Sequence, residues 1–387
     1  MRNSRRTAAF IVARWLATKE FPSALLPDDA DRPFVQDLVY TVIRRLRALR
    51  HILGALVTKW PAGELEALLY VGAAQVLYMD DVPDFAAVNE TVNAAKSCGN
   101  PSIVRVVNGV LRNLVRRRDE LLAGLAAAPL AERESFPTAL VRRWQARFGE
   151  DRATALCRWH NTPAETYLAH KDGCFTTLER GRRVSEAPGF ATGEFIVQDP
   201  ATRLAIELLD IHPGESVLDA CAAPGGKTIQ IAWRGAQVVA CEVNPKRRAR
   251  LKANLDRVGL GAVELLDTLE LGSRTFDKIL VDAPCSNTGV LRRRPEARWN
   301  WSEEKLASLV ALQTQILDQS ARLLSPRGVL VYSTCSNEPE ENLAQVEAFV
   351  ARHTGFTLVE ARESLPFESG TDGAFAAKLC FAGEKMV

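Results

Sequence analysis

The chain has 387 residues, more than one ordinary core holds, so two or three domains are expected. Its 47% hydrophobic and 25% charged residues exclude a disordered polymer, and no apolar run approaches the roughly 20 residues of a membrane span. A formal charge of +2 excludes a uniformly polycationic protein; the basic residues cluster instead, at Arg44-Arg45, Arg116 to Arg118, Arg142-Arg143, Lys246 to Arg248 and Arg292 to Arg294, each a solvated helix face or a phosphate contact.

The opening MRNSRRTAAFIVARW has a basic start, but Arg14 cuts its apolar stretch short, so a helix of the mature protein is expected rather than a targeting segment. Residues 8 to about 125 carry apolar positions at helical spacing, such as Val35, Leu38, Val39 and Val42, punctuated by Pro22, Pro33, Pro61, Pro83 and Pro101. That pattern predicts an all-α bundle with its own core over residues 1–130. His51 and Cys98 have no evident partner there and read as structural. Residues 131–195 begin helical and turn mixed, with glycines at 173, 181, 189 and 193, which predicts a small α/β connector. Phe195 to Asp199 reads as a short strand or loop, followed by a helix from Pro200 to Leu209.

From 196 to 387 strands alternate with helices. The expected strands are Ser216 to Leu218, Gln237 to Cys241, Ala262 to Leu266, Lys278 to Val281, Val329 to Tyr332 and Ala377 to Phe381, with the clearest helices at Pro245 to Val258 and Glu303 to Leu324. Such alternation predicts a Rossmann-like, doubly wound α/β domain that binds its ligands at the carboxyl ends of its strands. Candidate chemistry is therefore sought just past each strand.

The first strand runs into DACAAPGGKT, Asp219 to Thr228, whose small residues let backbone amides approach a ligand at the following helix's N-terminus. A phosphate loop would need glycine at Cys221, so Gly226-Lys227-Thr228 completes no such motif. The alternative is an S-adenosylmethionine (SAM) loop, an acid followed by small residues at alternate positions: Asp219, Cys221, Ala223 and Gly225. Glu242 ends the second strand near the spacing at which a carboxylate accepts from a ribose, with an unpaired surface glutamate as the plainer reading. Asp267 ends the third, as an adenine contact or a helix cap. The fourth and fifth strands end in Asp282-Ala-Pro-Cys285 and Ser333-Thr-Cys335-Ser, two thiols in flanks that an inert buried cysteine does not need. Eight cysteines form no C-x-x-C pair, so free thiols, no metal and a cytoplasmic setting are expected.

DACAAPGGKT, DAPCSNTGVLRRRPEARW and STCSNEPEEN, in that order and each at a strand end, resemble the three signature motifs of the RsmB/Sun (Fmu) family of RNA cytosine-5 methyltransferases. Val88-Asn89-Glu90-Thr91-Val92 and Val107 to Arg112 resemble a NusB-like RNA-binding domain, the combination found in the bacterial branch that modifies small-subunit (16S) ribosomal RNA. This resemblance implies SAM as cofactor and RNA as partner, with no membrane or metal, in a monomer. It makes Cys335 the nucleophile, Cys285 the group for proton removal or product release, and Asp282 a contact to cytosine N3 as well as a cofactor-site residue. Cys221, Ala222, Ala223, Pro224, Gly225, Gly226, Lys227, Glu242 and Asp267 would hold the cofactor. Gln198 and Asp199 would border the target pocket, and Arg292, Arg293 and Arg294 would meet RNA phosphates. Chemistry alone leaves the cysteine roles open, because DNA cytosine methyltransferases use the Pro-Cys thiol. The connector looks short for this family, and Asp372-Gly-Ala-Phe375 replaces the usual Asp-Gly-Phe-Phe. The competing expectation is an RNA-binding protein that works through the NusB-like bundle and carries a vestigial methyltransferase fold.

Overall fold

A computed structural model describes residues 3–179 and 181–381; the outermost residues of the expected domains, 1–2 and 382–387, lie outside the described residues, as does Arg180 in the connector. The chain forms two compact units, Met1–Thr162 with Arg294–Asn300, and Pro163–Arg293 with Trp301–Val387.

The first unit is helical: α1 (Ser4–Thr18), α2 (Arg32–Gly54), α3 (Glu64–Tyr78), α4 (Asp84–Lys96), α5 (Pro101–Arg116), α6 (Arg118–Ala126), α7 (Leu130–Arg133), α8 (Thr138–Phe148) and α9 (Glu150–Asn161). Helix starts follow the sequence. Asn3 accepts from the amides of Arg5 and Arg6, and Asn100 accepts from that of Ser102 ahead of Pro101. The apolar stripe of α2, including Leu38, Val42 and Leu49, is fully buried against α1 and α3. A Cβ on Gly72 would collide with Leu111, so glycine there sets how closely α3 and α5 pack.

The second unit opens with a three-stranded antiparallel sheet of β1 (Thr166–His170), β2 (Phe175–Leu178) and β3 (Phe195–Val197), in order β2-β1-β3. Residues 131–195, expected as one connector, thus divide between the two units at Thr162 and Pro163. There follow α10 (Arg203–Leu209), β4 (Ser216–Asp219), α11 (Gly226–Trp233), β5 (Gln237–Cys241), α12 (Pro245–Arg257), β6 (Glu264–Leu266) and β7 (Phe276–Asp282). A short helix, α13 (Ala297–Asn300), belongs to the first unit. The second unit ends with α14 (Glu303–Ala321), β8 (Leu324–Thr334), α15 (Leu343–Arg352), β9 (Phe356–Ser364), α16 (Pro366–Ser369) and β10 (Ala374–Phe381).

The large sheet has the order β6-β5-β4-β7-β8-β10-β9, parallel except that β10 runs antiparallel to both of its neighbours, β8 and β9. Period-2 alternation explains its two cores. Leu218, Ile279, Val281, Leu330 and Tyr332 face Leu317 of α14 and Phe349 of α15, whereas Val217, Leu280 and Val331 face Ile206 and Leu209 of α10. Consecutive connections run to opposite sides of β4, toward β5 on one flank and β7 on the other. The crevice at the carboxyl ends of β4 and its neighbours is the topological switch point.

Candidate active site

The Asp219 to Thr228 loop occupies that crevice. The amides of Ala220 and Ala222 donate to the carbonyls of Leu280 (2.9 Å) and Cys241 (2.9 Å), which fixes the loop between β7 and β5. Gly225 has φ +108°, and a Cβ there would lie 2.8 Å from Leu251, so only glycine fits both backbone and space. Asp219 is buried and accepts from the Thr228 hydroxyl at 2.7 Å, closing the loop on itself; burial raises its carboxyl to about 6. The Lys227 ammonium reaches across to Asp282 at the end of β7, 2.6 Å from Oδ2, while Ser333 Oγ donates to Oδ1 at 2.8 Å. Burial works against the Lys227 charge, but Asp282 more than reverses that and raises its pKa.

At the ends of adjacent parallel strands β7 and β8, the sulfurs of Cys285 and Cys335 are 3.3 Å apart. Cys335 is half-buried and donates from Sγ toward Asn287 Oδ1 at 3.4 Å. Cys285 is buried; its contact with Cys335, and then burial, push its thiol well above the usual range. Two thiolates at this separation repel, so the pair holds one negative charge more readily than two. The loops carrying the thiols are joined by further bonds. Gly289 N donates to Cys335 O (3.0 Å), Asn337 N to Thr288 Oγ1 (2.8 Å), and fully buried Glu341 accepts from Ser286 N (2.9 Å) and Gln313 Nε2 (3.0 Å). A Cβ on Gly289 would fall 2.7 Å from Gly373 O and 2.8 Å from Cys335 O, so three chain segments meet there at backbone distance. A cavity of about 60 Å³ opens beside Cys335, walled by Lys227, Asp282, Asp199, Thr202, Asp372 and Phe375.

The residues singled out in the sequence are distributed as follows. Lys227, Asp282, Cys285 and Cys335 converge on this cavity or its wall, and Cys221 to Gly226 form the adjacent loop. Glu242 is buried at the end of β5 and accepts from Asn244 N (2.9 Å), with Arg247 Nε 3.2 Å from its other oxygen. A carboxylate retains further acceptor positions beyond these two, so ribose hydroxyls can still be bound. Asp267 is exposed past β6, 3.6 Å from Arg248. Asp199 lines the cavity, and the side chain of Gln198 lies against Gly226, 3.1 Å from the position a Cβ would take. The arginine trio separates. Arg292 is buried and donates to Pro163 O, and Arg293 is held 2.6 Å from Asp199 and 2.5 Å from Asp372, so both are turned toward protein acceptors, whereas Arg294 is exposed and lies in the first unit. Sequence reasoning passed over Asn287, Ser333 and Glu341. Their positions inside the two cysteine motifs were the available signal.

The family model described as 16S rRNA methyltransferase RsmB/F matches residues 206–380, and that of the NusB family matches residues 2–116. Fold and site thus define a Rossmann-like methyltransferase joined to a NusB-type helical domain. A ribosomal RNA small subunit methyltransferase B of Serratia proteamaculans (strain 568) is 35% identical over 97% of this chain and 98% of its own. Its counterpart from Cronobacter sakazakii is 34% identical over the same shares. The chain belongs to the RsmB/F family of methyltransferases. Among solved structures, PH0851 superposes with a TM-score of 0.78 at 22% identity, covering 98% of this chain and 99% of that one. NSun6 from Pyrococcus horikoshii, crystallised with SFG, gives 0.57 at 19% over 65% of this chain and all of its own. Among the described residues, no helix is long and apolar enough to cross a membrane and no cluster suits a metal ion.

Proposed function

We propose that this protein transfers a methyl group from SAM to C5 of a cytidine in small-subunit ribosomal RNA through a transient bond between Cys335 and C6. The observation that carries the reading is the 3.3 Å pair of sulfurs at the ends of β7 and β8, beside the loop that follows β4. The Gly225 and Gly226 backbone, which a Cβ would obstruct, and the buried Glu242 carboxylate fit an adenosyl group with a charged amino-acid tail. When bound there, SAM supplies an electrophilic methyl.

Cytosine C5 is a weak nucleophile, and addition of a thiolate at C6 converts it to an enamine carbon. Cys335 performs that addition, with Asn287 orienting its sulfur. As the bond forms, N3 takes up the proton that the Cys335 thiol gives up, and the resulting N3–H donates to Asp282, whose carboxylate is held by the Lys227 ammonium and the Ser333 hydroxyl. Once Cys335 is bonded to carbon it carries no charge, and the repulsion that kept Cys285 protonated falls. Cys285 then releases its proton to solvent, its thiolate takes the C5 proton after methylation, and Cys335 leaves as a thiolate that recovers the proton from N3. Because a stacked cytosine hides its ring edge, the target is single-stranded or swung out. The similarity of the N-terminal unit to NusB supports RNA as the partner. Incubation with methyl-labelled SAM and unmodified small-subunit ribosomal RNA should yield labelled 5-methylcytidine. Label at any other atom, or none, refutes the proposal.

A further inference from the structure

A second, larger cavity of about 350 Å³ lies between the β1–β2 turn, α10 and α11. It falls within the range of small-ligand sites, roughly 300–1,000 Å³. Three kinds of group line it. Lys171, Arg203 and Arg234 supply cations, Phe175 and Trp233 supply aromatic rings, and Gln230 supplies an amide. Its two carboxylates are already engaged: Glu207 lies 3.2 Å from both Arg203 and Arg362, and Asp172 accepts from Cys174 N at 2.9 Å. Neither Lys171 nor Arg234 forms an ion pair among the described residues. Gln230 is only 7% exposed, yet its Oε1 accepts no hydrogen bond among the described residues. A buried amide oxygen without a donor is costly unless a ligand supplies one.

Cations for phosphate, aromatic faces for stacking and an amide for a base edge are together the complement of a nucleotide. Position indicates which one. α10 begins with Arg203 between Thr202 and Leu204, both of which line the catalytic cavity. Lys227 on α11 faces the catalytic cavity, and Gln230 and the residue that caps the helix, Arg234, follow at three and seven residues along one stripe. At 1.5 Å per residue they lie about 5 and 10 Å further along the axis. One or two nucleotides of a single strand cover that separation.

We infer that the cavity between the β1–β2 turn, α10 and α11 is a binding subsite for a nucleotide one or two positions from the target cytidine on the same RNA strand. The inference rests on the RNA methyltransferase reading above and deepens it. Phosphate meets Lys171 and Arg234, the base stacks on Trp233 or Phe175, and Gln230 accepts from an exocyclic amine or ring N–H.

The test uses the full chain, SAM and an unmodified small-subunit ribosomal RNA transcript containing scattered 4-thiouridine. Two variants are compared with the wild type, the double exchange Lys171→Ala/Arg234→Ala and the near-isosteric Gln230→Met. KM for RNA should rise about tenfold in the double variant and several-fold in Gln230→Met. The dependence of log KM on log salt should lose about 0.7 of its slope in the double variant, the value for one phosphate contact removed from a single strand. SAM affinity within twofold of wild type certifies folding; should Gln230→Met fail that check, Arg203→Ala, an exposed position, replaces it. Irradiation should crosslink RNA to Trp233 or Phe175. Unchanged KM and salt slope, or crosslinks that avoid residues 170–175 and 230–234, overturn the subsite. A wild type that methylates RNA while the variants match it refutes the subsite alone. A wild type that transfers no methyl refutes the parent reading, and the crosslink, which needs no transfer, still judges the cavity.

Discussion

Sulfur chemistry at Cys285 and Cys335 is decided by their separation. At 3.3 Å, removing one thiol changes what the other can do. Under the proposed roles, Cys285→Ala leaves the attack by Cys335 intact but removes the group that frees the product, so an SDS-resistant protein–RNA adduct should accumulate on denaturing gels. Cys335→Ala should give none; an adduct seen only with Cys335→Ala reverses the two roles. Asp219 gives a stability test. Its carboxyl is raised by burial to about 6, so below pH 4 it is protonated in both folded and unfolded chains, and between roughly 4 and 6 only the folded chain holds the proton. Folding stability contributed by this group is therefore complete below the ordinary carboxylate range and lost as pH rises through 6, by no more than roughly 3 kcal/mol. Asp219→Asn keeps an acceptor for Thr228 and should flatten that segment of the urea-midpoint curve. Of the four residues that meet around the cavity beside Cys335, Asp282, Cys285 and Cys335 were legible because they stand at or just past a strand end, and Lys227 because it closes the loop that follows β4. The partners of Arg292 and Arg293 were not, since Pro163 lies 129 positions from Arg292, and Asp199 and Asp372 lie 94 and 79 from Arg293, and no local pattern encodes such contacts.

At the scale of elements, the strands of the sheet center were readable from their apolar runs, and β9 was not. β9 is an edge strand, with Leu358, Val359, Glu360 and Glu363 all exposed, so the alternation that marks a half-buried strand is absent. Of the small sheet only β3 was readable, as the short strand or loop at Phe195 to Asp199; β1 and β2, five and four residues long, show only as turns between short segments. Loops matter more than strands for the chemistry. Those after β7 and β8 and the one before β10 meet at Gly289, where an added Cβ would press on two backbone carbonyls rather than on a side chain that can turn away. Gly289→Ala should therefore lower kcat/KM at least tenfold by displacing Cys285 and Cys335. SAM binding should stay within twofold, because the β4 loop is untouched; equal loss of both would show a general folding defect instead.

Across the whole molecule, the seven residues Arg294–Asn300 belong to the helical unit although the catalytic chain flanks them on both sides. Arg298 is fully buried there, its guanidinium 3.8 Å above the Phe136 ring and donating to the carbonyls of Arg44, Ser135 and His160 and to Asn161 Oδ1. Burial and the nearby Arg44 charge lower its pKa well below the usual guanidinium range, so carbonyl dipoles are what hold it. Trp299 adds a hydrogen bond to Ile43 O at 2.8 Å. Arg298→Met strands several buried acceptors and should destabilise the helical unit by roughly 3 kcal/mol or more. A lowered Tm and new protease cleavage within 294–300 would register it; an unchanged digestion pattern would contradict it.

That excursion makes the polypeptide pass between its units three times, at Thr162, Arg293 and Asn300. Recombination at a single junction therefore cannot trade one half for a relative's. A graft at residue 163 would bring its own Arg298 and Trp299 to a foreign helical host, and both pockets would have to match at once. Inheritance of the two halves as a unit follows from that threading, independent of any shared task.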